Sequence, residues 1–458
     1  MRPISVDMMT KIVEGTLTHG QNVVIWHGVY RLKQVKNKHT VLFTAHHLVN
    51  WPELARFFPL IVVTSWRYKQ SELPPGVSVI HVNNTEIARW KFTRYYRGLF
   101  SLPVVAITGT AGKTTTKEML KAIVSPSKKV VATHLSSNSR TAHFPYLLAI
   151  DDATETAIFE TAVGAPGDVM RAGAYFQPTI GIITNIGAHH LDYCKTLEGY
   201  IDAKSEMLDI IARGGTLLIN GDDKNSQKLK VESFHGNVLR VGKQATHDVR
   251  ASQIEYREAG MAFVLTFKGK SYDVEVPGFG EHQVYNALFA LAAAVEIGIP
   301  IETAIHRLRT FRQLNKQLQL KRGINGALLL DDTWSITTTA LAAALDVQRA
   351  LAKGRRRIAI IGTITDVGRW GRYVHEQAAE LLDKAQVDVV VTVGEHAKFI
   401  AEHLEKLLFN GAVHSFNNGI LAYELVKKLA GPETILLVKG DMYSKTMEEL
   451  ASKLKARP

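Results

Sequence analysis

A β-branched run that breaks on two glycines and restarts as a helix constrains this chain more than any other feature: Val104-Val-Ala-Ile-Thr-Gly-Thr-Ala-Gly-Lys-Thr-Thr-Thr116, followed by the helix-forming Lys117-Glu-Met-Leu120. A strand that turns at once into a helix must cross over to return to its sheet, so the segment calls for a parallel α/β layer. Gly109 and Gly112 let the backbone turn tightly, and the amides around Thr110 and Ala111 can then converge on one anion. The helix N-terminus adds a partial positive charge and Lys113 a full one. The hydroxyl of Thr114 is placed to ligate a nucleotide's magnesium. The spacing departs from the common G-x-x-x-x-G-K-[ST] loop, because Gly109 stands only three residues before Gly112. A Gly-rich helix start with no ligand is the bland alternative, and it leaves the lysine without a purpose.

The chain alternates from there between apolar strands and amphipathic helices. Strands are expected at Val104–Thr108, 157–160, 180–185 and 215–219, with helices at Lys113–Val124 and 197–212. That alternation predicts a parallel sheet covered on both faces. Beyond Asp222 the pattern turns hairpin-like, with 262–267 and 271–276 flanking Lys268-Gly269-Lys270, and helices follow at 283–296 and 300–310. The polar stretch 312–326 reads as a linker. A second series has strands at 327–330, 357–361, 387–393 and 434–438, the mark of a smaller doubly wound unit. Residues 1–100 mix the apolar runs 23–26, 40–44 and 60–64 with polar turns. A chain of 458 residues is too long for one core. The expected fold is α/β in three domains: a small N-terminal α/β domain over 1–100, a central P-loop ATPase-type parallel-sheet domain over 101–312, and a C-terminal Rossmann-like domain over 313–458.

The formal charge of +12 raises the question of nucleic acid. The basic residues are scattered, however, and the densest run, Arg355-Arg356-Arg357, enters an apolar strand, where a solvated loop end explains it. No aromatic and basic platform accompanies it. The charge equally suits phosphorylated, carboxylate-bearing substrates. No stretch approaches the roughly 18 apolar residues of a membrane span, and the first residues lack the apolar core of a signal peptide. The single cysteine, Cys194, excludes an internal disulfide and a cysteine zinc site. A cytoplasmic location is expected.

Other candidates lie at strand ends, beyond which sites in such sheets are found. Thr108, Glu160 and Asn185 mark three of them. Taken singly, Glu160 could cap a loop, Lys204 could be a solvated lysine, and His189-His190 could be a surface pair. His46-His47 has no partner motif and reads as structural. Joint occurrence with one phosphate loop favours a site.

Gly109-Thr-Ala-Gly-Lys-Thr-Thr-Thr116 resembles the ATP-binding signature of the Mur ligases, and further blocks follow in that family's order. Glu160-Thr-Ala-Val-Gly-Ala-Pro-Gly-Asp-Val169 resembles the segment whose leading glutamate binds magnesium. Thr184-Asn-Ile-Gly-Ala-His-His-Leu191 resembles the strand-end histidine motif, and Ala203-Lys-Ser-Glu206 the segment with a carbamylated lysine. Gly280-Glu-His-Gln-Val-Tyr-Asn-Ala287 is similar to the adenine-side motif, Asp331-Asp-Thr-Trp334 to the nucleotide-clamping motif, and Val438-Lys-Gly440 to the terminal strand. The Pro-Gly-Asp ending and Gly362-Thr-Ile-Thr-Asp-Val-Gly368 resemble the branch that adds D-alanyl-D-alanine.

The resemblance implies ATP and two magnesium ions. Gly109, Thr110, Ala111, Gly112, Lys113, Thr114 and Thr115, with His282, Asn286 and Asp332, would bind the nucleotide. Thr114, Glu160, His190 and a carbamylated Lys204 would hold metal, and Lys113, Lys204 and His190 would be catalytic. His375 would orient the amine substrate or cap its helix. The implied activity is an ATP-dependent acid–amino-acid ligase working through an acyl phosphate in cell-wall peptidoglycan synthesis. Its substrates would be ATP, a carboxylate acceptor such as a UDP-muramoyl-peptide, and an amino acid or dipeptide. A monomer without nucleic acid is implied. There are departures: Gln317 stands for the linker arginine, Gln283 for an asparagine, Ser137-Asn138-Ser139-Arg140 for an asparagine-rich segment, and Asp441-Met442 for serine and arginine. Residues 1–100 lack the Gly-rich Asp-Gly-His stretch that recognises the UDP-sugar. Two alternatives stay open: the same chemistry with another carboxylate acceptor, and a nucleotide-binding protein without catalysis. Motifs split between 104–286 and Asp332 also imply two halves that close on their ligands.

Overall fold

The computed structural model describes residues 1–187, 191–365 and 367–456. The Val104–Thr108 strand is buried along its whole length, as its unbroken apolar run demands of a parallel strand covered on both faces. It pairs in parallel with Thr156–Glu160 on one side and Ile180–Ile183 on the other. The chain thus crosses from one flank of Val104–Thr108 to the other, and the strand order reverses there. Such a reversal opens a crevice beyond the carboxyl ends. The full order is Lys270–Pro277, Gly260–Phe267, Val249–Tyr256, Asn237–Gly242, Thr216–Asn220, Ile180–Ile183, Val104–Thr108, Thr156–Glu160, Val130–Ala132. The first three strands form an antiparallel extension, including the expected hairpin, and the rest are parallel.

A smaller sheet precedes this one, ordered Thr16–His19, Val77–His81, Leu60–Thr64, Thr40–Phe43, His27–Val29, parallel but for its first pair. A third follows, ordered Gln319–Arg322, Leu328–Asp332, Thr434–Lys439, Arg356–Gly362, Val389–Val393, Ala412–Phe416, again parallel but for its first pair. The α/β class with three successive sheets is as expected. The reading of 312–326 as linker needs correction, since Gln319–Arg322 is an antiparallel edge strand. Its half-exposed Gln-Leu-Lys-Arg has too little apolar content to declare itself. Among the described residues no helix is long and apolar enough to cross a membrane.

The first and middle sheets share one core. Val41, Phe43, Ile61 and Val63 of the first sheet join Trp90, Phe92 and Tyr96 of helix Thr85–Gly98, Phe144 and Leu147 of helix Arg140–Leu148, and Tyr175 and Phe176 of helix Asp168–Phe176. Trp90 stacks on Tyr175 with centroids 4.6 Å apart. Buried Arg97 donates from Nε to the Phe176 carbonyl at 3.0 Å and from Nη1 to that of Phe100 at 2.6 Å. The third sheet fills both of its faces largely from its own helices. Trp90→Ala should therefore cost about 3–5 kcal/mol and weaken the first and middle sheets together in one urea transition. A wild-type midpoint would show that the two are not energetically joined.

Candidate functional site

The phosphate loop is set by what its glycines permit. Gly109 has φ +147°, and a Cβ there would lie 1.9 Å from Thr184 Oγ1. Gly112, at φ +82°, begins the helix Lys113–Val124, and a Cβ would lie 2.4 Å from Asn286 Oδ1. The end of the neighbouring strand braces the loop. Ala111 N–H donates to Asn185 Oδ1 at 2.9 Å, and the Ala111 carbonyl accepts from Thr184 Oγ1 at 2.6 Å and Asn185 Nδ2 at 3.1 Å. Thr110 N–H donates to the Asn185 carbonyl at 2.9 Å, and Thr110 Oγ1 accepts from Gly187 N–H at 2.9 Å. Lys113 folds back, donating to the carbonyls of Gly109 at 2.9 Å and Thr110 at 3.3 Å. Burial pulls its amine below the ordinary value, and the Glu160 charge partly restores it.

Glu160 ends the adjacent strand and is 1% exposed. Its Oε2 accepts from Thr114 Oγ1 at 2.9 Å and its Oε1 from Asn138 Nδ2 at 2.7 Å. A carboxylate and a hydroxyl side by side offer the hard oxygen donors that magnesium prefers. Among the described residues no group of three His, Cys, Asp or Glu gathers elsewhere as a metal site. Lys204, on helix Leu197–Ile210, is fully buried, with Nζ 4.5 Å from the Tyr200 ring centroid and without a hydrogen-bond partner among the described residues. Burial, reinforced by the charge of Lys113, holds its pKa well below that of an ordinary lysine. The bland alternative, a solvated lysine, is thus excluded. His190 lies outside the described residues.

The opposite wall comes from two further elements. Helix Glu281–Glu296 presents His282, Gln283 and Asn286, and Thr116 Oγ1 donates to Asn286 Oδ1 at 3.2 Å. Burial and the charge of Lys439 push His282 down to about 4. From the third sheet, Asp332 accepts from Lys439 Nζ at 2.5 Å and Leu318 N–H at 3.3 Å. Burial raises the Asp332 carboxyl against the pull of Lys439. Gln317 spans the halves, its Oε1 accepting from Thr115 Oγ1 at 3.1 Å. The result is a cavity of about 580 Å³ lined by 109–115, Glu160, His282, Asn286 and Asp332, together with Thr365, Lys439 and Asp441. The structure thus gathers every described nucleotide candidate at one cavity; Lys204 stands behind Tyr200, which lines it.

The family model described as the Mur ligase middle domain matches residues 107–294, and that of the Mur ligase glutamate ligase domain matches 318–442. Together they span well over half of the chain. The chain belongs to the Mur ligases. It is 25% identical to the UDP-N-acetylmuramoyl-tripeptide–D-alanyl-D-alanine ligase of Bacillus subtilis over 99% of both chains. To the ligase of the same name from Escherichia coli it is 26% identical over 81% of each. Its fold is similar to that of MurF from Acinetobacter baumannii (TM-score 0.87, 22% identity, 99% of this chain and 100% of that one). MurF ligase from Thermotoga maritima, solved in complex with ADP, is also similar (TM-score 0.79, 18% identity, 93% and 97%).

Within this Mur ligase fold, His375 meets neither of its expected roles. It is fully buried, accepts Ile364 N–H on Nε2 at 3.0 Å and donates from Nδ1 to the Gly371 carbonyl at 2.7 Å. It therefore holds the loop that carries Thr365, with its ring spent on backbone groups. Sequence reasoning missed Asn138, Tyr200 and Lys439 as parts of the site. Asn138 was visible only as the remnant of a polar segment, and the others point inward from a helix and a strand. Gly112→Ala should lose about 1–3 kcal/mol of stability and weaken ATP binding, because it adds a methyl to a left-handed residue pressed against Asn286. Calorimetric titration with ATP, alongside thermal melting, checks both effects.

Proposed function

We propose that this Mur ligase joins D-alanyl-D-alanine to a UDP-muramoyl tripeptide at the expense of ATP, the reaction named for its Bacillus subtilis relative. One observation carries the reading: a single cavity lined by a phosphate loop, a hydroxyl–carboxylate pair and a buried Asp–Lys pair from two sheets. A carboxylate resists attack by an amine because its oxide is a poor leaving group. When its oxygen attacks the γ-phosphorus, ADP departs and an acyl phosphate forms. The amine nitrogen then attacks the acyl carbon, the C–O bond breaks, phosphate leaves and the nitrogen loses a proton.

The first step crowds anions together, so cations and N–H donors must hold them in line. The helix-start amides of Gly112 and Lys113 and the Lys113 ammonium grip the phosphates, while Asn185 holds the amides of Thr110 and Ala111. Thr114 and Glu160 would hold magnesium, with Asn138 donating to the other carboxylate oxygen; the ion would supply positive charge against the transferring phosphoryl group. His282 and Asn286 line the nucleotide's base side, and the Asp332–Lys439 pair closes the third sheet against it. Walls from two sheets exclude the water that would hydrolyse an acyl phosphate. We place the enzyme in the cytoplasm, as a monomer.

Lys204 is read as the lysine that carries a carbamate. Burial lowers the Lys204 pKa and so favours the unprotonated amine, which is the form that adds carbon dioxide, losing a proton and becoming an anion with two oxygen donors. Lys204→Ala should lose ligase activity and regain part of it in millimolar acetate, whose oxygens can refill the position. Normal turnover by the alanine variant would remove Lys204 from the mechanism.

The missing Asp-Gly-His stretch in residues 1–100 favours one second reading, the same ligation with a different carboxylate acceptor. Phosphate release from ATP, measured over a panel of UDP-muramoyl peptides against D-alanyl-D-alanine and single amino acids, separates the two. Release that needs both the tripeptide and the dipeptide is expected. Release with another acid alone would move the enzyme to the second reading, and none with any pair would sink the ligase assignment.

A further inference from the structure

Along one edge, the backbone of Glu160 is held by side chains where a strand would be expected. The neighbouring strand Val130–Ala132 ends at Ala132, whose partner is Ile158. The N–H and C=O of Glu160 on that edge therefore have no strand to meet, yet both are buried and need partners. Glu160 N–H donates to Thr133 Oγ1 at 3.1 Å, and the Glu160 carbonyl lies 3.0 Å from His143 Nε2. A carbonyl only accepts, so Nε2 carries the proton. Nδ1 lies 3.2 Å from the Tyr175 hydroxyl and accepts from it. Burial pushes His143 down to about 4 and raises the Tyr175 phenol, so a neutral ring faces a protonated phenol at neutral pH. The Tyr175 ring stacks on Trp90 of helix Thr85–Gly98, which belongs to the first sheet's layer.

We propose that His143 is a positioning residue of the ligase reaction: it sets the backbone from which Glu160 presents its carboxylate to magnesium, and Tyr175 and Trp90 tie that setting to the first sheet. The proposal rests on the reading of Glu160 as a magnesium ligand. Loss of the imidazole leaves a buried carbonyl unpaired, a state the chain relieves by turning the peptide. The carboxylate on the same residue turns with it, away from Thr114 and Asn138.

The test is a magnesium titration of ATP turnover in the full-length enzyme, with the KM of each substrate and the melting temperature read in parallel. His143→Ala should raise the half-saturating magnesium concentration roughly ten-fold while the KM for the amine substrate stays near wild type. His143→Gln, whose amide nitrogen can donate to the same carbonyl, should recover most of that loss. Tyr175→Phe keeps the stack on Trp90, removes only the donor to Nδ1, and should give an intermediate shift. A wild-type magnesium midpoint in His143→Ala overturns the proposal. Should that variant not fold, an unshifted Tyr175→Phe overturns it instead. Glu160→Gln separates the two readings. If it too titrates like wild type, Glu160 is no magnesium ligand; if it alone shifts, the role of His143 is refuted.

Discussion

Everything at the site depends on how closely the loop after Val104–Thr108 approaches the end of its neighbour, Ile180–Ile183. Only a residue without a side chain fits at 109, where a Cβ would lie 1.9 Å from Thr184 Oγ1. That approach lets Thr184 and Asn185 take up the amide and carbonyl of Ala111, so the loop is held in shape by the sheet and needs no ligand to form it. A loop already ordered is worth more to an anion than one that must first be ordered.

Charge in the cavity is arranged so that Lys113 is the less satisfied partner. Its hydrogen bonds go to two carbonyls, those of Gly109 and Thr110. Asp332 is already paired with Lys439, and Glu160 is bound by neutral donors, a hydroxyl and an amide. Burial makes the Lys113 ammonium costly, and a polyphosphate with its metal relieves that cost. The pocket is thus built for an anionic guest, which suits both the nucleotide and the acid it activates.

The shared core of the first two sheets gives the assembly its asymmetry. Phe43, Trp90, Phe144 and Tyr175 pack across the boundary, so these sheets behave as one body. The third sheet meets them chiefly around the cavity, through polar links such as that of Gln317 with Thr115. An apolar seam resists separation and a polar, ligand-lined one does not. Movement that admits substrates is therefore expected at the second boundary.

The phosphate loop, the parallel sheet around it, the hairpin and the second doubly wound unit were legible in sequence, because each is written in local terms: period, glycine placement, and a lysine at a helix start. Val104–Thr108 and Lys113–Val124 fall where the pattern put them. Strands with half-exposed or charged faces were not legible, Gln319–Arg322 and Ala412–Phe416 among them, since at an edge a strand need not be apolar. The ordered motifs determined the family and picked out residues that the structure gathers at one cavity. Tertiary structure alone decided that Lys204 is buried against the Tyr200 ring, that His375 braces a loop, that Gln317 bridges two halves, and that His143 completes the edge beside Glu160. The physical reason is that burial and hydrogen-bond partnership arise between residues distant in sequence, where no local pattern records them.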